Sequence, residues 1–186
     1  MQSTTATAMG LGPTATPATV TPAQRQALIT AAQDDPVWFI REVLGSNLWP
    51  KQQDIARSVW AHRRTAVRAC RRSGKSHVAA RIALAFLYAF PDSVVLTTAP
   101  SFRQVQFVLW QELRRAYQGA RVPLGGQLLQ TSLHVRDGWF ALGLTANDPT
   151  AFQGINAEHS LVIVDEASGL DPAMWQGIEG LLAGAH

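Results

Sequence analysis

The spacing of apolar and polar positions along the chain predicts an alternation of helices and strands. Apolar residues recur every three or four positions in several segments, which predicts helices over residues 24–32, 36–44, 51–62, 76–90, 102–117 and 171–182. Short apolar runs predict strands over residues 65–69, 94–97 and 161–164. Two further runs, 132–135 and 139–144, flank Arg136-Asp137-Gly138, which is typical of a hairpin turn. Strands that alternate with helices indicate an α/β fold, with helices on the faces of a parallel sheet.

The same pattern predicts how two of these elements are buried. The strand over residues 161–164 is apolar at every position, which is typical of a parallel strand covered on both sides. The inward face of the helix over residues 102–117 is predicted to comprise Val105, Val108, Leu109 and Leu113.

Residues 1–21 differ in composition from the rest of the chain. They are rich in Thr, Ala, Pro and Gly and carry no charge, which predicts a flexible tail ahead of one folded domain over residues 22–186. With 47% apolar and 16% charged residues, the chain has a globular composition. No apolar run approaches the roughly eighteen residues of a membrane span, and no secretory signal is recognisable. With Cys70 as its single cysteine, the sequence predicts a cytoplasmic protein without an intramolecular disulfide.

The charge of the chain is modestly positive. The formal net charge is +3, and Lys51 and Lys75 are the only lysines, so arginine supplies most of the cations. Arginine offers paired donors to phosphate groups. This balance permits nucleic-acid binding without requiring it, because a solvated basic surface explains the charge equally well.

Gly74-Lys75-Ser76 follows the predicted strand over residues 65–69 and opens the predicted helix over residues 76–90. This is the context of a phosphate-binding loop, in which backbone N–H groups and the helix dipole face the phosphates. Lys75 is expected to reach the β- and γ-phosphates, and the Ser76 hydroxyl to occupy one Mg²⁺ position. Ala69 stands where the usual pattern has glycine, so an isolated tripeptide in a surface loop is the alternative.

Asp165 and Glu166 follow the apolar strand over residues 161–164. Acidic residues at the end of a buried strand indicate a cationic partner there, although a helix cap is the alternative. Together with Lys75 on another strand-to-helix connection, the pair predicts an ATP site. Asp165 would hold Mg²⁺ together with Ser76, partly through water, and Glu166 would activate the attacking water.

Four stretches resemble the ATPase domain of large terminase subunits, the DNA-packaging motors of tailed bacteriophages. The stretch 48–52, LWPKQ, is similar to the family's adenine-sensing glutamine motif, and 68–76, RACRRSGKS, is similar to its deviant phosphate loop, with Arg71 at the family's arginine position. The stretches 96–113, LTTAPSFRQVQFVLWQEL, and 151–170, AFQGINAEHSLVIVDEASGL, resemble the segment after the second strand and the run into the acidic motif.

The resemblance implies a P-loop NTPase of the ASCE type, with ATP and Mg²⁺ as cofactors. Gln52 would read the adenine, and the loop residues Arg71, Arg72, Ser73, Gly74, Lys75 and Ser76 would bind the phosphates. Arg71 would act on the transferring phosphate as an arginine finger in cis, with bracing of the loop as the alternative. The parent protein would hydrolyse ATP to package double-stranded DNA in the host cytoplasm, as a ring homo-oligomer on the portal protein and with the small terminase subunit. Arg63, Arg64, Arg114 and Arg115 are candidates for DNA contacts, with a solvated helix surface as the alternative.

The family continues beyond its acidic motif with a coupling motif on a further strand and then a nuclease domain. Neither follows residue 170 in this sequence, so we expect an ATPase domain that is incomplete at its C-terminus and that hydrolyses ATP poorly alone. A helicase-like nucleic-acid translocase and a non-catalytic prophage remnant remain alternative interpretations. Gln52 could equally be an exposed helix residue, and Ser101 and Gln104 a helix cap and surface.

Overall fold

The computed structural model describes residues 21–145, 155 and 157–183. The tail over residues 1–20, residues 151–154 and 156 of the family-like run, and residues 184–186 lie outside the described part. The α-helices are α1 (Pro22–Asp34), α2 (Pro36–Glu42), α3 (Pro50–Ala61), α4 (Lys75–Ala89), α5 (Phe102–Gln104), α6 (Trp110–Gln118) and α7 (Pro172–Ala183). A π-helical turn, Val105–Leu109, joins α5 to α6, and a 3₁₀ turn, Ala167–Gly169, precedes α7.

Five strands form one mixed sheet in the order β2-β3-β4-β1-β5. The strands are β1 (Val94–Thr98), β2 (Gln127–Leu128), β3 (Ser132–Arg136), β4 (Trp139–Gly143) and β5 (Ser160–Val164). β1 pairs in parallel with both β4 and β5, whereas β2, β3 and β4 are antiparallel neighbours. The α/β class and the hairpin are confirmed, but the sheet is mixed rather than parallel throughout, because the β3–β4 hairpin adds antiparallel strands to one side.

The helices begin where local chemistry favours a start. Thr21 caps α1, and its hydroxyl accepts a hydrogen bond from the Gln24 N–H at 3.2 Å. Asp35 caps α2 in the same way through the Val37 N–H at 2.9 Å. A proline occupies the first turn of both helices, where its fixed φ suits the helix and its missing N–H has no partner to lose.

Alternate residues of each parallel strand face two different cores. Val95 of β1 points into a large core shared with α1–α4 and α6, whereas Val94 and Leu96 point to the other face. Met174 and Ile178 of α7 cover part of that second face. Since helices pack on both sides, β1 is fully buried at every position.

The predicted strand over residues 65–69 is wrong. These residues form neither a strand nor a helix, they make no backbone–backbone hydrogen bond with the described residues, and most of the segment is exposed. A strand needs a partner for its backbone N–H and C=O groups. Val67 is the one large apolar side chain in this segment, and burying it alone would not offset the conformational entropy lost when five residues become ordered. β5 forms as predicted, but it is half-exposed along its length, because it lies at the edge of the sheet rather than between two strands.

One side chain of the predicted helix over residues 102–117 is exposed although the apolar pattern predicts it to be buried. Val105, Leu109 and Leu113 are buried, but Val108 is 43% exposed. The π-helical turn inserts one residue into the helical repeat, which shifts the residues within it off the inward stripe. In the described ranges, no helix is long and apolar enough to span a bilayer.

Candidate functional site

The loop ahead of α4 contains two residues in the left-handed backbone conformation. Gly74, which directly precedes α4, has φ +78°, and Arg72 has φ +63°. Ala69 lies outside the positive-φ region, so alanine meets no backbone strain at the position where the usual pattern has glycine. The residues in the left-handed conformation are therefore Arg72 and Gly74, which lie closer to α4 than Ala69, the position where the usual sequence pattern has its first glycine.

Lys75 folds back over this loop. Its ammonium group donates to the carbonyl oxygens of Cys70 at 2.9 Å and Ala69 at 3.2 Å. The Ser73 hydroxyl also donates to the Cys70 carbonyl, at 2.9 Å. Both acceptors of Lys75 are backbone oxygens, and no carboxylate of the described residues pairs with it, so its charge can transfer to an anion without breaking an ion pair.

Arg71 and Arg72 lie at the surface of this loop. Both are exposed, and neither guanidinium has a hydrogen bond or ion pair among the described residues. Two unpaired arginines next to Lys75 make this loop a concentrated patch of positive charge.

Residues from the loop and from the end of β5 meet directly. The Ser76 hydroxyl donates to Asp165 Oδ2 at 3.1 Å, across 89 residues of sequence. The backbone N–H of Asp165 donates to the Thr98 carbonyl at 2.9 Å, which fixes the residue at the carboxyl edge of the parallel strands. The structure thus brings together the two motifs that the sequence predicts to form one site.

Glu166 lies beside Asp165 in a strained conformation. It has φ +52°, and its backbone N–H donates to Asp165 Oδ1 at 3.1 Å. Its Oε2 accepts a hydrogen bond from the Gln104 side chain at 2.7 Å. Non-glycine residues with positive φ are uncommon and concentrate at functional sites.

Gln52 packs against the end of the same loop. Its Nε2 donates to the Gly74 carbonyl and its Oε1 accepts from the Trp49 N–H, both at 3.4 Å. The residue is buried, so the alternative of an exposed helix glutamine is wrong. Two hydrogen bonds at the long end of the range are weak, and an adenine edge could replace them at little cost.

The sequence analysis missed a group of charges behind the loop. Arg81 of α4 is buried and donates to Glu112 of α6 at 2.8 Å, and the His77 ring contacts the same carboxylate oxygen at 3.2 Å. Burial lowers the pKa of His77, and the neighbouring Arg81 cation lowers it further. An arginine within the apolar pattern of 76–90 is the signal that could have indicated a buried partner.

The candidate DNA-contacting arginines all have partners within the chain. Arg64 pairs with Glu179 of α7 at 2.6 Å, and Arg63 donates to the Leu182 carbonyl at 2.7 Å. Arg115 pairs with Glu112 at 2.7 Å, and Arg114 donates to the Gln130 carbonyl. These contacts assign all four side chains an intramolecular role.

The Ser76 hydroxyl and the Asp165 carboxylate bring oxygen atoms together at the carboxyl edge of the parallel strands. In the described part of the chain, no three His, Cys, Asp or Glu side chains converge as a metal site would require. Ser76 and Asp165 contribute hard oxygen atoms, which suit Mg²⁺ when phosphate and water complete the shell.

The sequence matches no protein-family model, and no curated protein is significantly similar to it.

Proposed function

We propose that this chain is an ATP-binding and ATP-hydrolysing domain with a P-loop NTPase fold of the ASCE type. The observation that carries the proposal is the 3.1 Å hydrogen bond between Ser76 and Asp165. It joins a glycine-lysine-serine helix start to an acidic strand end, which is the pairing that nucleotide hydrolysis by this class of site requires. Neither motif alone would support the assignment.

The phosphates would lie at the N-terminus of α4. Backbone N–H groups of the loop and the positive end of the helix dipole favour an anion at this position. Lys75 would exchange its carbonyl partners, Ala69 and Cys70, for phosphate oxygens. The exposed Arg71 would add charge at the transferring phosphate, and Gln52 would exchange its weak hydrogen bonds for the adenine.

Ser76 and Asp165 would hold Mg²⁺, which would supply charge neutralisation on the phosphates when bound. Glu166 would act as the general base. Its carboxylate would accept a proton from water as the water oxygen forms a bond to the γ-phosphorus. The bond from that phosphorus to the bridging oxygen would break, and its electron pair would leave with ADP.

The resemblance to large terminase subunits extends this proposal to the parent motor. The hydrogen bond from Gln52 to the Gly74 carbonyl supports it, since the glutamine of the family-like motif then lies beside the proposed phosphate loop. The parent would use ATP hydrolysis to move double-stranded DNA into a capsid, in contact with a portal protein and a small terminase subunit. Binding assays would separate a packaging motor, which engages duplex DNA, from a helicase-like translocase, which engages a single strand.

The test of the nucleotide site uses the two lysines of the chain. We expect Lys75→Ala to weaken binding of a non-hydrolysable MgATP analogue by about 100-fold in calorimetry, because the loop loses its charged phosphate contact. Lys51→Ala is the control, since Lys51 lies on the surface of α3 and is paired with Asp54. An unchanged affinity in Lys75→Ala would contradict the assignment of the loop.

A further inference from the structure

The Gln104 side chain connects the two loops at the carboxyl edge of β1 and β5. Its Nε2 donates to Glu166 Oε2 at 2.7 Å, and its Oε1 accepts from both the Ser101 N–H at 3.1 Å and the Ser101 hydroxyl at 2.9 Å. A backbone N–H can only donate, so Oε1 has to face Ser101. The amide nitrogen therefore has to face Glu166, and the direction of the hydrogen bond is fixed by Ser101.

The surrounding backbone is shaped to make this contact. Glu166 has φ +52°, and the π-helical turn begins at Val105, immediately after Gln104. Positive φ in a glutamate and π-helical turns both carry a conformational cost and concentrate at functional sites. The two loops are also tightly packed, since a Cβ on Gly169 would lie 2.8 Å from Pro100 Cγ.

We propose that Gln104 is a positioning residue that holds the Glu166 carboxylate in the orientation needed to accept a proton from the attacking water. This inference rests on the proposed ATP hydrolysis. Gln104 occupies Oε2 and leaves Oε1 for the water. Glu166 is exposed, and an exposed glutamate without such a contact distributes over several rotamers, so the hydrogen bond reduces the entropy lost on reaching the reactive arrangement.

The experiment is single-turnover hydrolysis of MgATP with the full chain in excess. We expect Gln104→Ala to reduce the rate constant by about 10- to 100-fold, the effect of losing a hydrogen bond to a charged group, with nucleotide affinity within about twofold. Gln104→Glu has the same size but cannot donate when ionised, and we expect a similar loss. Gln111→Ala is the control, because Gln111 lies on α6 of the same helical segment and makes no contact with Glu166.

A double mutant separates positioning from a structural role. If Gln104 acts through Glu166, Gln104→Ala causes no further loss in a Glu166→Ala background. An equal loss in both backgrounds, a parallel loss of nucleotide affinity, or full activity of Gln104→Glu would overturn the proposal. A faster rate in Gln104→Ala would also overturn it, since Gln104 would then restrain the base.

The failure of this inference is distinguishable from failure of the proposed function. If the wild-type chain binds MgATP but hydrolyses it no faster than Glu166→Ala, Glu166 is not the general base and Gln104 has no positioning role. The proposed nucleotide site would still stand in that case. A chain that binds no nucleotide removes both. Melting curves for each variant show whether it is folded, and if Gln104→Ala does not fold, the isosteric Gln104→Glu decides the test.

Discussion

Individual backbone conformations explain how the proposed phosphate loop, residues 69–76, accommodates alanine at its first position. Ala69 has an ordinary φ, whereas the positive φ values fall on Arg72 and Gly74. Placing a non-glycine residue in the left-handed region costs about 1–2 kcal/mol, so Arg72 carries strain that Gly74 does not. The missing glycine at position 69 is therefore no argument against the proposed loop, and Gly74 is the position where a side chain would meet both φ strain and a clash with Gln52.

We expect Gly74→Ala to destabilise the fold by more than φ strain alone. An added Cβ would lie 2.6 Å from Gln52 Nε2, so the buried amide has to move. The control is Gly138→Ala, at φ +75° with no atom within 4 Å of the added Cβ, which has the strain of about 1–2 kcal/mol without the clash. Urea unfolding measures both.

Combining the substitution with Gln52→Ala gives the decisive comparison for Gly74. Since Gln52→Ala removes the clashing atom, the double mutant should lose less stability than the sum of the single mutants. Strictly additive losses would show that Gln52 does not occupy the space above Gly74.

At the level of elements, a charged cluster links α4 to α6 behind the phosphate loop. The Arg81 side chain is 8% exposed and Glu112 is 21% exposed, and Arg81 also donates to the Ser46 hydroxyl at 3.2 Å. Burial by itself raises the pKa of Glu112, but hydrogen bonds from Arg81, Arg115 and His77 outweigh it and leave the pKa lowered. The pair thus fixes the helix that begins at Lys75 against the helical segment that carries Gln104.

We expect Glu112→Gln to cost about 2–3 kcal/mol of unfolding free energy at neutral pH, because it leaves the buried Arg81 without its charge partner. The folded pKa of Glu112 lies below its ordinary value of 4.5, so the unfolded chain binds more protons between these two values. Wild-type stability should therefore fall as the pH drops below about 4.5 and through the folded pKa.

The Glu112→Gln variant should lose less stability over that acidic window, as measured by urea unfolding at a series of pH values. Glu179→Gln is the control, since Glu179 pairs with Arg64 in an exposed position where such pairs contribute about 1 kcal/mol or less. Identical pH profiles for wild type and Glu112→Gln would show that the ion pair does not stabilise the fold.

Elements with strong local signals could be predicted from the sequence. The helices with capping residues and proline starts, the hairpin around Gly138, and the strands at 94–97 and 161–164 all form. The strand at 65–69 could not be judged from its own residues, because a strand depends on a partner distant in sequence. The exposure of Val108 follows from the π-helical turn, which leaves no recognisable pattern in the sequence.

The same distinction applies to the candidate site. The sequence predicts four of the site residues because their chemistry is recognisable in short motifs, namely Lys75, Ser76, Asp165 and Glu166. The link from Gln104 to Glu166 depends on how two strand-end loops pack, and spacing in the sequence does not encode it.

On the scale of the whole molecule, the segment ahead of the phosphate loop is anchored at its two ends and unpaired between them. Arg63 and Arg64 bind the last turns of α7, and Ser76 binds Asp165 at the end of β5. Residues 65–70 between these anchors make no backbone–backbone hydrogen bond with the described residues, and only the Ala69 and Cys70 carbonyls accept from side chains, those of Lys75 and Ser73. Among the described residues, no strand therefore supports the proposed phosphate loop on its N-terminal side, so we expect hydrolysis by this chain to be weak.

The sheet also has unpaired backbone groups, at the outer edge of β5 in the described part of the chain. β5 is a half-exposed strand, apolar at four of its five positions, and none of the described residues pairs with its outer edge. The opposite edge is β2, which is only two residues long. Unpaired backbone on a longer apolar strand promotes association with other chains, whereas a very short edge strand does not.

We therefore expect the chain to self-associate through the β5 side at micromolar concentrations, as followed by light scattering over a concentration series. Val67 is 42% exposed in the segment ahead of the loop whose Ser76 contacts Asp165 at the end of β5, so Val67→Lys should reduce association, because docking would have to desolvate the new charge. Leu129→Lys is the matched control, since Leu129 is 47% exposed next to the short strand β2. Equal effects of the two substitutions would place the contact elsewhere, and a chain that stays monomeric at all concentrations would show that the β5 edge is covered.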